Sequence, residues 1–244
     1  MGYTNTTTYT FKKNASLKEI YNELDNVCTT SNTYCSVQLG DFSSYNEANK
    51  LYHKLHGNNT KSNMGDDDDF KKFNEKPNEF CLYLKYWLYD QIIIKELNDQ
   101  EISQVLNVLK MGDKYKFFID SANVCEFNIL KFIEIKSAKL LIDYLENYEN
   151  NVNKKNIEKL ICNNDYKNIL NDMIHLYNNI DTPCKNESNV YCNELEQCKK
   201  VYKIKNLLEL NCNGDTESPT LPQQFFIVQI LTHKQLYHPN LYPD

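Results

Sequence analysis

Apolar residues recur along this chain mostly at helical spacing. Ser16-Leu-Lys-Glu19 reads as a capping box, and Leu17, Ile20, Tyr21, Leu24 and Cys28 follow it on one face, which predicts a helix over 16–27. Ser44-Tyr-Asn-Glu47 is a second box. Phe42, Tyr45, Ala48, Leu51, Tyr52 and Leu55 give its stripe, and Gly57 reads as its stop. Asn58–Asn78 is polar, includes Asp66-Asp67-Asp68-Asp69 and reads as an exposed loop, with 61–79 the least ordered internal interval. Phe80–Leu97 differs from everything around it. It is apolar on nearly every face, interrupted only by Lys85 and Asp90, and Pro77 and its length favour helix over strand. A helix of that kind belongs at the centre of a bundle.

Asp99 then reads as the cap of a helix running to Lys110, with Ile102, Val105, Leu106 and Leu109 inward and Gly112 at its end. Residues 126–150 carry a long stripe that includes Leu130, Ile133, Leu141, Tyr144, Leu145 and Tyr148. Residues 155–178 repeat the pattern from Ile157 to Tyr177, Pro183 breaks the chain, and Cys192–Leu210 reads as a last clear helix bearing Leu195, Cys198, Tyr202 and Leu208. Gln223–Tyr237 suits helix or strand. The expected fold class is all-α: an irregular bundle of about seven helices around 80–97, stapled by cysteines. The expected domains are a flexible 1–15, a helical unit over 16–212 and a partly disordered extension over 213–244. No internal repeat of 20–50 residues is visible.

Composition narrows the function classes. A 41% hydrophobic content with 12% aromatics suits a folded core. The net charge is −6 and every one of the 27 basic residues is Lys, so the Arg forks that suit phosphate and guanine are missing and no nucleic-acid partner is expected. Six glycines leave little for phosphate-cradling loops. The 34 asparagines are middling helix formers, so packing must hold the helices.

Nine cysteines stand at Cys28, Cys35, Cys81, Cys125, Cys162, Cys184, Cys192, Cys198 and Cys212, with no CxxC among them. Buried free thiols are one reading. An extracellular disulfide framework is the favoured one, because several of the C-terminal cysteines lie in polar sequence, and an odd count leaves one over. The start MGYTNTTTYTFKKN contains no apolar stretch, so no ordinary signal peptide is expected, and no run of 18 apolar residues suggests a bilayer span.

Candidate chemistry is sparse. Four consecutive Asp lack the ligand alternation, sixth-position Gly and final Glu of a calcium loop. His53 and His56 share a face but no third ligand accompanies them, and no HExxH, GxSxG, GxxxxGK or GxGxxG occurs. No catalytic residue, metal, cofactor or small-molecule substrate is expected. Trp87, the only tryptophan, reads as core, with an indole N–H in need of a partner. Asn5, Asn14, Asn58 and Asn186 begin sequons, a chance frequency in an Asn-rich chain, and the Lys pairs 12–13, 71–72, 154–155 and 199–200 form no readable stripe.

The string Cys81-Leu-Tyr83-Leu84-Lys-Tyr86-Trp87-Leu88-Tyr89-Asp90-Gln-Ile92 resembles the central helix of the Plasmodium vivax VIR proteins, within the PIR superfamily of variant antigens. Cys28 and Cys35 before it, Cys125-Glu-Phe127 after it, and Cys162 with Tyr166 and Leu176-Tyr177 agree more weakly; the resemblance spans roughly 16–212. It implies a helical, cysteine-containing ectodomain associated with infected red cells. It also implies adhesion to a host cell-surface protein, immune evasion and no enzymatic activity. Localisation would be export into the host erythrocyte, to its surface or membrane, with any membrane contact made through a segment outside this sequence. An intracellular trafficking or scaffold protein with reduced cysteines, or a truncated non-functional paralogue, are the alternatives. Cys28 or Cys35 with Cys81, and pairs within Cys162–Cys212, are the expected bridges.

Overall fold

A computed structural model of the chain describes residues 15–28, 35, 47–64, 76–109, 117–118, 124–163, 166–185 and 189–212. Of the expected flexible start, 1–15, all but Ala15 falls outside them, as do the whole 213–244 extension and the Asp66–Asp69 run. Nine helices are present among the described residues: α1 (Ala15–Asn26), α2 (Glu47–Met64), α3 (Pro77–Ile94), α4 (Asp99–Val108), α5 (Phe132–Tyr148), α6 (Asn151–Asn163), α7 (Lys167–Asn178), α8 (Asp181–Cys184) and α9 (Cys192–Tyr202). Between α4 and α5, β1 (Phe117–Phe118) pairs antiparallel with β2 (Val124–Cys125), Phe117 opposite Cys125 and Phe118 opposite Val124. The molecule is therefore mostly helical, as the apolar spacing predicts.

The centre is α3. Pro77 opens it, where a missing N–H costs nothing, and thirteen of its residues from Phe80 to Ile93 are buried. Helices α1, α5 and α9 pack directly on it. Helix α2 lies against α1, α4 and β1, while α6 and α7 pack on α5. Leu82, Leu84, Tyr86, Trp87, Leu88, Tyr89 and Ile92 are all 0% exposed. Each large side chain so buried contributes about 1.5–3 kcal/mol. The moderate polarity of the outer helices is tolerable because they have this rod to cover.

Several boundaries differ from the sequence reading. Gly57 does not stop α2, which runs seven residues further to Met64. Asn58 and Asn59 are buried, and Asn58 Nδ2 donates to the Leu24 carbonyl at 2.9 Å, so tertiary contacts with α1 override the local stop signal. The expected exposed loop therefore begins in helix, and 61–64 and 76–79 are ordered. Asn98, not Asp99, caps α4: its Oδ1 accepts from Gln100 N and Glu101 N while Glu101 Oε2 accepts from Asn98 N. Asp99 instead accepts from Phe132 N at 2.8 Å and so ties the start of α5 to α4. The 126–150 stripe is helical only from Phe132, and Ile133 faces solvent at 56% exposure. The 155–178 stripe is two helices, α6 and α7. The last helix ends at Tyr202, not Leu210; Lys203 turns left-handed (φ 57°) and the chain continues without helix to Cys212.

Candidate functional site

Three i, i+4 pairs wind round α3, and each is addressed to a different helix. Lys85 and Tyr89 both reach Glu194 of α9: Lys85 Nζ lies 3.3 Å from Glu194 Oε1, and Tyr89 OH donates to the same oxygen at 3.1 Å. Asn128 Nδ2 donates to Glu194 Oε2 at 3.0 Å. Tyr86 and Asp90, about 100° further round, face α5. Tyr86 OH donates to Asp143 Oδ1, and Lys139 Nζ bridges Asp90 Oδ1 at 3.1 Å and both Asp143 oxygens at 3.0 Å. Tyr21 of α1 completes this group, donating to Asp90 Oδ2 at 2.7 Å. Trp87 and Gln91, a further step round, meet Asp25 of α1: the indole Nε1 donates to Asp25 Oδ1 at 3.2 Å and Gln91 Nε2 at 3.4 Å. The partner required by the indole N–H is thus Asp25.

The charges in these groups are deeply placed. Side chains of Lys85, Glu194, Lys139 and Asp90 are all 3% exposed or less. Burial, opposed in part by Lys139, raises the Asp90 carboxyl to about 6. Desolvation and the neighbouring carboxylates push the Tyr21 and Tyr89 hydroxyls well above their ordinary range, so both remain donors. Lys85 and Asp90 interrupt the apolar run in sequence, yet in the fold they are buried with it. Their partners Glu194 and Lys139 lie 109 and 49 residues away, and no local pattern announces them.

Eight of the nine cysteines are bridged. Cys28 pairs with Cys35, Cys81 with Cys125, Cys162 with Cys212 and Cys184 with Cys192. The expectation that Cys28 or Cys35 would join Cys81 is corrected: Cys81, one turn before Lys85, fastens α3 to β2. Both later bridges do lie within Cys162–Cys212. Cys198 is the free thiol, buried among Glu194, Tyr89 and Lys85, and desolvation raises it far above its ordinary value. A nucleophilic cysteine needs the opposite shift and access to solvent. Among the described residues no three His, Cys, Asp or Glu side chains are grouped to hold a metal ion.

The string Cys81 to Ile92, quoted above for its resemblance, is therefore internal machinery. Tyr83, Leu84, Leu88 and Ile92 fill the core, and Cys81, Tyr86, Trp87, Tyr89 and Asp90 key it to its neighbours. What the molecule offers outward lies elsewhere. Among the described residues the most exposed large apolar side chains are Leu208 at 71%, Val152 at 66% and Ile133 at 56%. Leu208 belongs to an extended strap, Lys203–Asn211, laid along α7. Asn178 Nδ2 donates to Leu207 O at 2.9 Å and Asn178 Oδ1 accepts from Leu207 N at 2.8 Å. Asn171 repeats this with Leu210 at 3.1 and 2.8 Å, and Tyr177 OH donates to Ile204 O at 2.7 Å. Sequence reading missed this strap because its leucines mimic a continuing helix face.

No helix among the described residues is long and apolar enough to cross a membrane. A family model described as Plasmodium vivax Vir protein matches residues 15–226. No curated protein and no solved structure matches the chain.

Proposed function

The chain belongs to the Plasmodium vivax Vir protein family, and from that premise we propose that it is a variant antigen, exported to the infected red cell, that binds a host cell-surface protein and serves immune evasion. The single observation that carries the reading is the family match over 15–226, which spans the whole of the described fold. The architecture supports it. The chain's most densely patterned segment is spent inside, fastening helices together, which leaves loops and outer helix faces as the parts open to change without loss of the core. Four disulfides suit an oxidising exterior rather than the reducing cytosol that an intracellular scaffold would meet.

Two measurements test this. Thiol titration of the parasite-derived protein, denatured without reductant, should find one thiol, Cys198; eight or nine would point to the scaffold reading. Antibody against the folded chain should label intact infected red cells, and the purified chain should bind at least one member of an array of host cell-surface ectodomains. Labelling only after permeabilisation, with no binder on the array, refutes the proposal.

A further inference from the structure

The strap is built differently from every other segment. Its backbone is gripped by side chains that read no sequence: two asparagine carboxamides, each donating and accepting, and one tyrosine hydroxyl. Asn171 and Asn178 are seven residues apart, about 10.5 Å along a helix, and the three strap residues from Leu207 to Leu210 span about 9.3 Å when extended as polyproline II. The two spacings match, so the inward positions recur every third residue: Ile204 half-buried, Leu207 and Leu210 3% and 6% exposed. The Cys162–Cys212 bridge closes the far end. Everything between the inward positions faces out.

That outward face has a definite chemistry. Lys200, Lys203 and Lys205 are exposed, Lys199 Nζ reaches the Lys205 carbonyl at 3.5 Å, and none of the four ammonium groups makes an ion pair among the described residues. Lys50, Lys54, Lys61, Lys85, Lys95, Lys139 and Lys154, by contrast, are all paired across or along helices. Lys203 holds a left-handed conformation (φ 57°) that glycine would adopt without strain, at a cost of about 1 kcal/mol. Beside this basic run in a chain of net charge −6 stands Leu208 at 71% exposure.

We propose that the strap face formed by Lys200, Lys203, Lys205 and Leu208 is the contact surface for a host protein offering an apolar pocket rimmed by carboxylates. This rests on the receptor-binding reading above and names the segment that carries it. A strap already fixed by backbone bonds and a disulfide loses little entropy on docking, and a protruding leucine flanked by cations is the form of an anchor with a charged surround. An anionic bilayer fits less well. One leucine supplies little area to insert.

The test uses the full, disulfide-bonded chain on the array of host ectodomains. Leu208→Asp and, separately, K203Q/K205Q should each weaken every interaction the wild type makes by at least about tenfold. Added salt should weaken the wild-type interaction and have less effect on K203Q/K205Q. Ile133→Asp, which alters an exposed apolar residue on α5, should bind as wild type, and all variants should keep the wild-type melting temperature. Undiminished binding by L208D and K203Q/K205Q overturns this inference and leaves receptor binding standing. So does an equal loss in I133D. Binding of the wild type to phosphatidylserine-containing vesicles, lost in the same variants, would make the partner a membrane and overturn it too. No ectodomain bound by the wild type refutes both readings.

Discussion

The two buried ion groups on α3 look alike and are not. On the α9 side one ammonium, Lys85, meets one carboxylate, Glu194, whose second oxygen is occupied by Asn128. On the α5 side one ammonium, Lys139, serves two carboxylates, Asp90 and Asp143, so the group carries an unbalanced negative charge in the core. Two hydroxyls, Tyr21 and Tyr86, soften that imbalance by donating to the carboxylates, while the Tyr86 ring, its centroid 4.0 Å from Lys139 Nζ, steadies the cation. The lesson is that fastening a helix by charge need not mean neutrality. The excess is held by packing done elsewhere, and on the α5 side it leaves in Asp90 a carboxyl that responds to pH.

The sharpest way to break the comparison is to remove each ammonium in turn. Lys139→Met leaves two carboxylates close together, one of them fully buried, without a cation, and should cost about 3–5 kcal/mol. Chemical denaturation of the folded chain should show a midpoint well below wild type at neutral pH. Acid should rescue K139M in part, since protonation removes the repulsion.

Next comes the proton itself. The Asp90 carboxyl is raised from 3.8 to about 6 in the fold. Because the native state holds the proton more tightly than the unfolded chain, this group favours folding fully below pH 4, and that contribution is lost as pH rises to 6. Asp90→Asn mimics the protonated form at every pH. Its stability relative to wild type should rise by about 2–3 kcal/mol between pH 4 and pH 6, then stay level. A flat difference curve would mean that Lys139 fully compensates Asp90, and the asymmetry between the two groups would vanish.

Lys85→Met should cost less, about 2 kcal/mol, because Glu194 keeps Tyr89 and Asn128 as donors. The melting temperatures should therefore fall in the order wild type, K85M, K139M. The reverse order would show that neither the charge imbalance nor the remaining donors govern these sites.

How far these features could be read without coordinates depends on where each signal resides. The rod is legible because its cause is local: apolar side chains all round, with Pro77 at the entrance. Its keys are not. Lys85 and Asp90 read as interruptions until Glu194 and Lys139 arrive from distant segments, and nothing near position 90 reports position 139. Gly57 misleads for the opposite reason: the local signal is strong, and a contact from Asn58 to Leu24 overrules it. The strap shows a third kind of failure. Leu207, Leu208 and Leu210 suit a helix face as well as a three-residue repeat, and only Asn178 and Asn171, 29 and 39 residues before the positions they grip, decide between them. The cysteines announced a disulfide framework with one thiol over but not its partners, since spacing cannot say that Cys81 meets Cys125 and not Cys28.

The third pair on α3 provides the smallest and most discriminating prediction. Asp25 accepts from Trp87, Gln91 and Lys54, yet its side chain is 42% exposed, so water already meets part of its demand. Asp25→Asn keeps an acceptor for the buried indole N–H while removing the charge. It should shift stability by under about 1 kcal/mol. Asp25→Ala would instead leave the indole donor of a fully buried Trp87 without its acceptor, and should cost about 1–3 kcal/mol. If D25N proved as damaging as K85M, charge would matter equally on all three faces of the rod. If D25N and D25A were alike and harmless, Asp25 would add nothing to the hold that Leu17, Ile20, Leu24 and the Tyr21–Asp90 bond give α1. The expected split between them gives the Asp25 contact the character of a hydrogen bond, where the Lys85 and Lys139 contacts depend on ions.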